Sequence, residues 1–233
     1  LVYVPGDNEW TDCHRSSNGS YDPLERLARL RNLFFVDDLS LGQKPIALQR
    51  QSADPAWSSY RENQRWEQDG LLFVALNVPG SHNNYFGPSG RGGPSAEFRA
   101  RSAANRVWVA QAFEHARQHH LAGVLILFQA NPGFEAASAG QASPGFAELI
   151  EQLRQETEAY AGQVMVVHGD SHSYQINQPL LDAAGKKVLD NFTRVEVPGY
   201  PFMGWVHVTV DRSVPRGLRV ERMHWNPQST TAP

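Results

Sequence analysis

The run Gly123-Val-Leu-Ile-Leu-Phe128, which ends abruptly at Gln129-Ala130-Asn131-Pro132, sets the architecture. It is apolar without alternation and too short for a helix, so it reads as a strand buried on both faces, as in a parallel sheet covered on both sides. Leu71–Asn77 and Val164–Val167 have the same texture. Helical periods separate these strands: Ser95–His119, with Phe98, Val109, Phe113 and Ala116 on one face, and Phe146–Tyr160. Upstream, Pro23 opens a further helix with Leu24, Leu27, Leu30 and Phe34 at helical spacing. Leu1–Val4 reads as another strand and Ile46–Leu48 as a short one, while 52–70 fits no class. Phe192–Val197, Trp205–Val210 and Leu218–Met223 read as late strands, and Val206, Val208 and Val210 alternate as in a half-exposed antiparallel strand. The expected fold is α/β and layered, one domain over 1–233, with an antiparallel region at its C-terminal end.

Composition bounds the function. The 233 residues are 41% apolar and 19% charged with net charge −3, so neither disorder nor a basic field suited to nucleic acid is expected. A single cysteine, Cys13, precludes an intrachain disulfide framework, and no stretch is long and apolar enough to span a membrane. The chain opens at Leu1 rather than Met and enters an apolar run directly. It reads as a soluble chain with its N-terminus removed, which suits export to the periplasm or beyond.

In open α/β sheets ligands gather beyond the C-terminal ends of strands. Each expected strand here is followed by oxygen or imidazole donors: Gly6-Asp7-Asn8-Glu9 with Asp12 and His14, Gly80-Ser81-His82-Asn83-Asn84, Gln129-Ala130-Asn131, and His168-Gly169-Asp170-Ser171-His172. The long loop 79–95 holds five glycines and three prolines, the kind of insertion that often carries function. Such an oxygen-rich set suits Mn²⁺, Mg²⁺, Fe or Ca²⁺ better than a thiolate zinc site. His119-His120 closes a helix and reads as a solvated pair on the favourable end of the helix dipole.

The order of these loops resembles the calcineurin-like metallophosphoesterase superfamily, in a divergent bacterial branch, over residues 2 to about 210. Gly6-Asp7-Asn8-Glu9 stands where that family has Gly-Asn-His-Glu. Gln129-Ala130-Asn131-Pro132 stands at its lone His, and Gly169-Asp170-Ser171-His172 at its Gly-His-x-His; Val107-Trp108-Val109 matches a Trp-containing helix. The resemblance implies a layered αββα sandwich whose first β-α units, with the Asp-x-His and Gly-Asp motifs, lie upstream of Leu1, so that a missing segment or a partner covers a sheet edge. It implies divalent metal ions held by Asp7, Gln129, Asp170 and His172, and a phosphoester small molecule as substrate of a metal-dependent hydrolase. The family's catalytic His corresponds to Asn8, which cannot donate a proton, so His82, His14 or His168 would replace it, His82 first. The alternative is a degenerate fold that binds or scaffolds without catalysis, since three motif positions are substituted.

Overall fold

The computed structural model describes residues 1–211, 213–214 and 217–225. It is a mixed α/β domain built on a seven-stranded sheet. In chain order the regular elements are α1 (Pro23–Phe34), β1 (Gln49–Arg50), β2 (Gln64–Gln68), β3 (Leu71–Ala75), a single turn α2 (Gly80–Asn83), α3 (Ala96–Gln118), β4 (Gly123–Leu127), α4 (Phe134–Ser138), α5 (Ala147–Ala159), β5 (Gln163–His168), β6 (Gln175–Asn177), β7 (Phe192–Glu196), β8 (Gly204–Val210) and β9 (Leu218–His224). The large sheet has the order β1-β2-β3-β4-β5-β7-β6. Its centre, β3-β4-β5-β7, is parallel, and the flanking pairs are antiparallel.

The period-2 rule separates the two faces of the central strands. Leu72, Val74, Val124, Ile126, Val164 and Val166 point to one side and pack with Trp108, Val109 and Phe113 of α3 and with Ile150 and Leu153 of α5. Leu71, Phe73, Leu125, Met165 and Val195 point to the other, where the β8–β9 hairpin covers them with Val206, Val208, Leu218 and Val220. Burial on both faces explains why these strands read as unbroken apolar runs. The large sheet ends in β1 and β6, two and three residues long, so its edges are short. Among the described residues, β8 and β9 pair only with each other.

Local signals place the helices as expected. Asp22 caps α1, accepting from the Leu24 and Glu25 amides, and Ser95 caps α3 through the Phe98 amide. Leu27 and Leu30 of α1 are buried, but Leu24 and Phe34 are exposed. The unclassified 52–70 stretch contains β2, joined to β3 by Asp69-Gly70, both at positive φ (53° and 78°). Asp-Gly is a two-residue hairpin signal, legible in the sequence and missed there. Leu1–Val4 is corrected: it runs without a strand ladder. Its hydrogen bonds include the paired main chains of Leu1 and Leu41 and the Gln64 side-chain amide donating to the Tyr3 carbonyl, and among the described residues no strand ladder includes it.

Candidate functional site

Because β3, β4, β5 and β7 are parallel, the loops that follow them emerge on one edge. There Gln129, just past β4, links two carboxylates. Its Nε2 donates to Asp7 Oδ1 (3.2 Å) and to Asp170 Oδ1 (3.0 Å). Its Oε1 accepts from the Gly80 N–H (2.6 Å) and the Asp7 N–H (3.3 Å). Asp170 Oδ2 accepts from the Asn131 N–H (3.2 Å). So Asp7 from the N-terminal loop, Gly80 after β3, Gln129 after β4 and Asp170 after β5 form one half-buried cluster.

The two backbone donors fix the Gln129 amide. Turning it over would set Nε2–H against two N–H groups and the oxygen against two carboxylates. Gln129 therefore presents nitrogen, not oxygen, to the acidic pair, which corrects the expectation that its oxygen serves as a metal ligand. The Asp7 carboxyl is raised above its ordinary pKa, first by burial, then by the negative charges of Asp170 and Asp12. Crowding is close: a Cβ on Gly80 would overlap Asp7 Oδ2 and stand 2.6 Å from Asp170 Oδ1, so only glycine admits both carboxylates.

His172 is not part of this contact set. It is exposed, and its Nδ1 donates to the Tyr200 carbonyl (2.8 Å). Gly199 lies against its ring, where a Cβ would come within 2.6 Å of Cδ2. Donation from Nδ1 fixes the tautomer and leaves the Nε2 lone pair free, the orienting pattern common to metal-binding histidines. Among the described residues, Asp7, Asp170 and His172 do not offer three donor atoms within 4.8 Å of one another; the group that does is Glu67, His115 and His119.

The three histidines expected to hold a proton fare differently. His168 is corrected: it is a core residue, 1% exposed, stacked on Phe128 with Phe134 beside it. Its Nδ1 donates to the Gly169 carbonyl (3.1 Å), and its Nε2 is buried without a partner. Burial holds its pKa down to about 4, so it is neutral and sealed from any substrate. His14 donates from Nδ1 to the Thr11 carbonyl (2.7 Å) and is half-buried. His82 is exposed, its Nδ1 3.5 Å from Ser143 Oγ and its ring edge-on to Phe86.

His82 sits on a turn that sequence reasoning did not anticipate. Ser81, His82, Asn83 and Asn84 all adopt left-handed backbone, with φ of 49°, 56°, 57° and 53°. Such backbone costs about 1–2 kcal/mol per non-glycine residue, less for Asn. The turn is held by a fully buried guanidinium. Arg101 of α3 donates to Asn83 Oδ1 (2.6 Å), the Asn83 carbonyl (2.8 Å), the Asn77 carbonyl (2.9 Å) and both oxygens of Glu97 (2.6 and 3.2 Å). Asn84 Nδ2 donates to the same Glu97 (2.7 Å), and Asn83 Nδ2 to the Gly145 carbonyl (2.8 Å). Ser81 Oγ donates to Asp12 Oδ1 (2.6 Å), and Asp12 pairs with Arg15 (2.7 Å), which ties the turn to the N-terminal loop. The available signal was a charge inside an apolar helical stripe, Phe98-x-x-Arg101-x-x-Ala104.

No protein-family model matches the chain, and no curated protein matches it either. No described helix is long and apolar enough to cross a membrane.

Proposed function

We propose that the chain carries a calcineurin-like metallophosphoesterase domain and acts as a metal-dependent phosphoester hydrolase. The observation that carries this reading is the Asp7–Gln129–Asp170 cluster at the C-terminal edge of the parallel strands. Two carboxylates close enough to share one amide nitrogen, one with its pKa raised by burial and then by the other's charge, form a charge arrangement that a divalent cation relieves. The β8–β9 sheet, packed on the large sheet, supports the layered sandwich.

Asp7 and Asp170 fit a metal, and His172 fits one through its free Nε2; Gln129 does not, because its oxygen is taken by two backbone amides. Bound divalent cations would supply Lewis-acid activation of water and neutralise charge on the phosphoryl group. The residues of this chain do the rest. The Asn131 N–H fixes the carboxylate of Asp170, and Gln129 spaces it from Asp7. His82, on its strained turn, or His14 holds the proton that the leaving oxygen requires.

The second reading, a degenerate fold that binds without catalysis, is favoured by one specific observation: the Gln129 amide nitrogen already bridges both carboxylates, as a cation would. The experiment that separates them assays the chain, alone and extended upstream by the two β-α units the resemblance implies, on p-nitrophenyl phosphate and bis-p-nitrophenyl phosphate with Mn²⁺ or Mg²⁺. Hydrolysis by the extended version, lowered at least about 100-fold in Asp7→Asn and Asp170→Asn, is the expected result, since losing a group that only orients a metal ligand already costs about 10–100-fold. Absence of metal binding and turnover in every version would select the binding role.

A further inference from the structure

A second cluster lies on the helix-covered side of the domain, apart from the carboxylate pair. Glu67 stands near the end of β2, and His115 and His119 stand one turn apart at the end of α3. One carboxylate oxygen serves both imidazoles: Glu67 Oε1 is 2.6 Å from His115 Nε2 and 3.6 Å from His119 Nδ1. The two rings lie close together, centroids 4.0 Å apart and tilted by 35°. All three donor atoms fall within 4.8 Å of one another.

We propose that Glu67, His115 and His119 form a binding site for one late first-row divalent cation, Zn²⁺ in particular. Tetrahedral zinc with bonds of about 2.0–2.1 Å sets neighbouring donors about 3.3–3.4 Å apart. The observed 2.6 and 3.6 Å straddle that spacing, so side-chain shifts below about 1 Å admit the ion. The scaffold is in place beforehand. Both histidines project from one helix at i, i+4, and Glu67 lies on a strand in full register with β3, opposite Leu72. Two imidazoles and one carboxylate select Zn²⁺, Cu²⁺ or Ni²⁺ over Mg²⁺ and Ca²⁺, which prefer all-oxygen sites. Arg117, between the two histidines in sequence, is engaged by Glu114 and Glu156.

Three protein ligands would leave one of the four positions of a tetrahedral ion to an outside ligand. Glu67 and His115 line a cleft of about 480 Å³ together with Gln49, Arg65, Trp66 and Gln68. Water or a small anion is the chemistry that position takes. The bound ion would pin the C-terminal end of α3, whose N-terminal half organises the left-handed turn, to the antiparallel edge of the sheet. The site shares no residue with the Asp7–Asp170 pair and stands whether or not that pair is catalytic.

The test titrates chelator-stripped chain with ZnCl₂ by calorimetry and follows Co²⁺ absorption as a probe of coordination. The Asp7→Asn/Asp170→Asn double variant should keep one tight site with the Co²⁺ bands of an N₂O donor set, and wild type should show the same bands. His115→Ala/His119→Ala should weaken that site more than about 100-fold while far-ultraviolet dichroism stays unchanged, because loss of a direct ligand exceeds the about 10–100-fold typical of outer-shell partners. Should the double variant fold poorly, His119→Ala alone, at a half-exposed helix end, should still abolish the Co²⁺ signature and weaken Zn²⁺ at least about 10-fold. Persistence of the N₂O Co²⁺ bands when the histidine substitutions are placed in the Asp7→Asn/Asp170→Asn background, or absence of those bands from the Asp7→Asn/Asp170→Asn variant itself, would overturn the proposal.

Discussion

Replacing Arg101 by Met tests whether one buried guanidinium builds the loop beside the carboxylate pair. Methionine fills most of the volume and removes the charge and all five hydrogen bonds, two of them to Glu97, two to Asn83 and one to Asn77. Arg101 is 0% exposed, so water cannot replace those bonds. Breaking a buried ion pair by removing one partner costs about 3–5 kcal/mol, because the remaining charge is stranded. The left-handed turn stores about 4 kcal/mol if each of its four residues costs about 1 kcal/mol. The two quantities are of similar size, so without Arg101 the turn has no reason to stay wound and relaxes. Whatever strain the relaxed turn sheds offsets part of that loss, so the net cost should fall between about 1 and 5 kcal/mol. Urea unfolding followed by tryptophan fluorescence measures it, and limited proteolysis should newly cut at 81–84. Adding Glu97→Gln to Arg101→Met should restore part of the loss by removing the stranded carboxylate. A loss under about 1 kcal/mol, or a double variant no more stable than the single one, would refute this account.

Gly80→Ala should cost about 1–3 kcal/mol by overpacking, since the new methyl meets both Asp7 and Asp170, and it should weaken Mn²⁺ binding at that pair; unchanged urea midpoint and metal affinity would mean the carboxylates move aside freely. His168 makes stability depend on acid pH. Its folded pKa is about 4, below the ordinary unfolded value near 6.5, so between those values the unfolded chain binds the extra proton and stability rises with pH. As pH falls from about 6.5 to 4 the wild type should lose stability with a slope of up to about 1.4 kcal/mol per pH unit from this group, and His168→Phe should remove that slope in urea titrations across the window.

The paired strands were readable because burial on both faces favours apolar residues: Leu71–Asn77, Gly123–Phe128 and Val164–Val167 each overlap an observed strand. The starts of two helices were readable at Pro23 and Ser95, and the structure adds the local reason, caps by Asp22 and Ser95. Donors after each strand were readable as candidates, since in a parallel sheet strand ends share an edge. Asp7, Gln129 and Asp170 do meet there, although the segment before Asp7 is no strand.

Pairwise orientation was beyond the sequence. Which atom of Gln129 faces the carboxylates is set by the amides of Gly80 and Asp7, 49 and 122 residues away in the chain. His168 and His172 look equivalent as neighbours of Asp170, yet one is sealed between Phe128 and Phe134 and the other is held in solvent by the Tyr200 carbonyl. The same holds for His119, which reads as a solvated helix end until Glu67, 52 residues earlier, arrives from the sheet. Period and local capping energies act over a few residues and are written in the sequence of those residues. Burial, hydrogen-bond direction and donor clustering depend on which distant groups the packed fold brings within about 3 Å, and only the tertiary structure decides that.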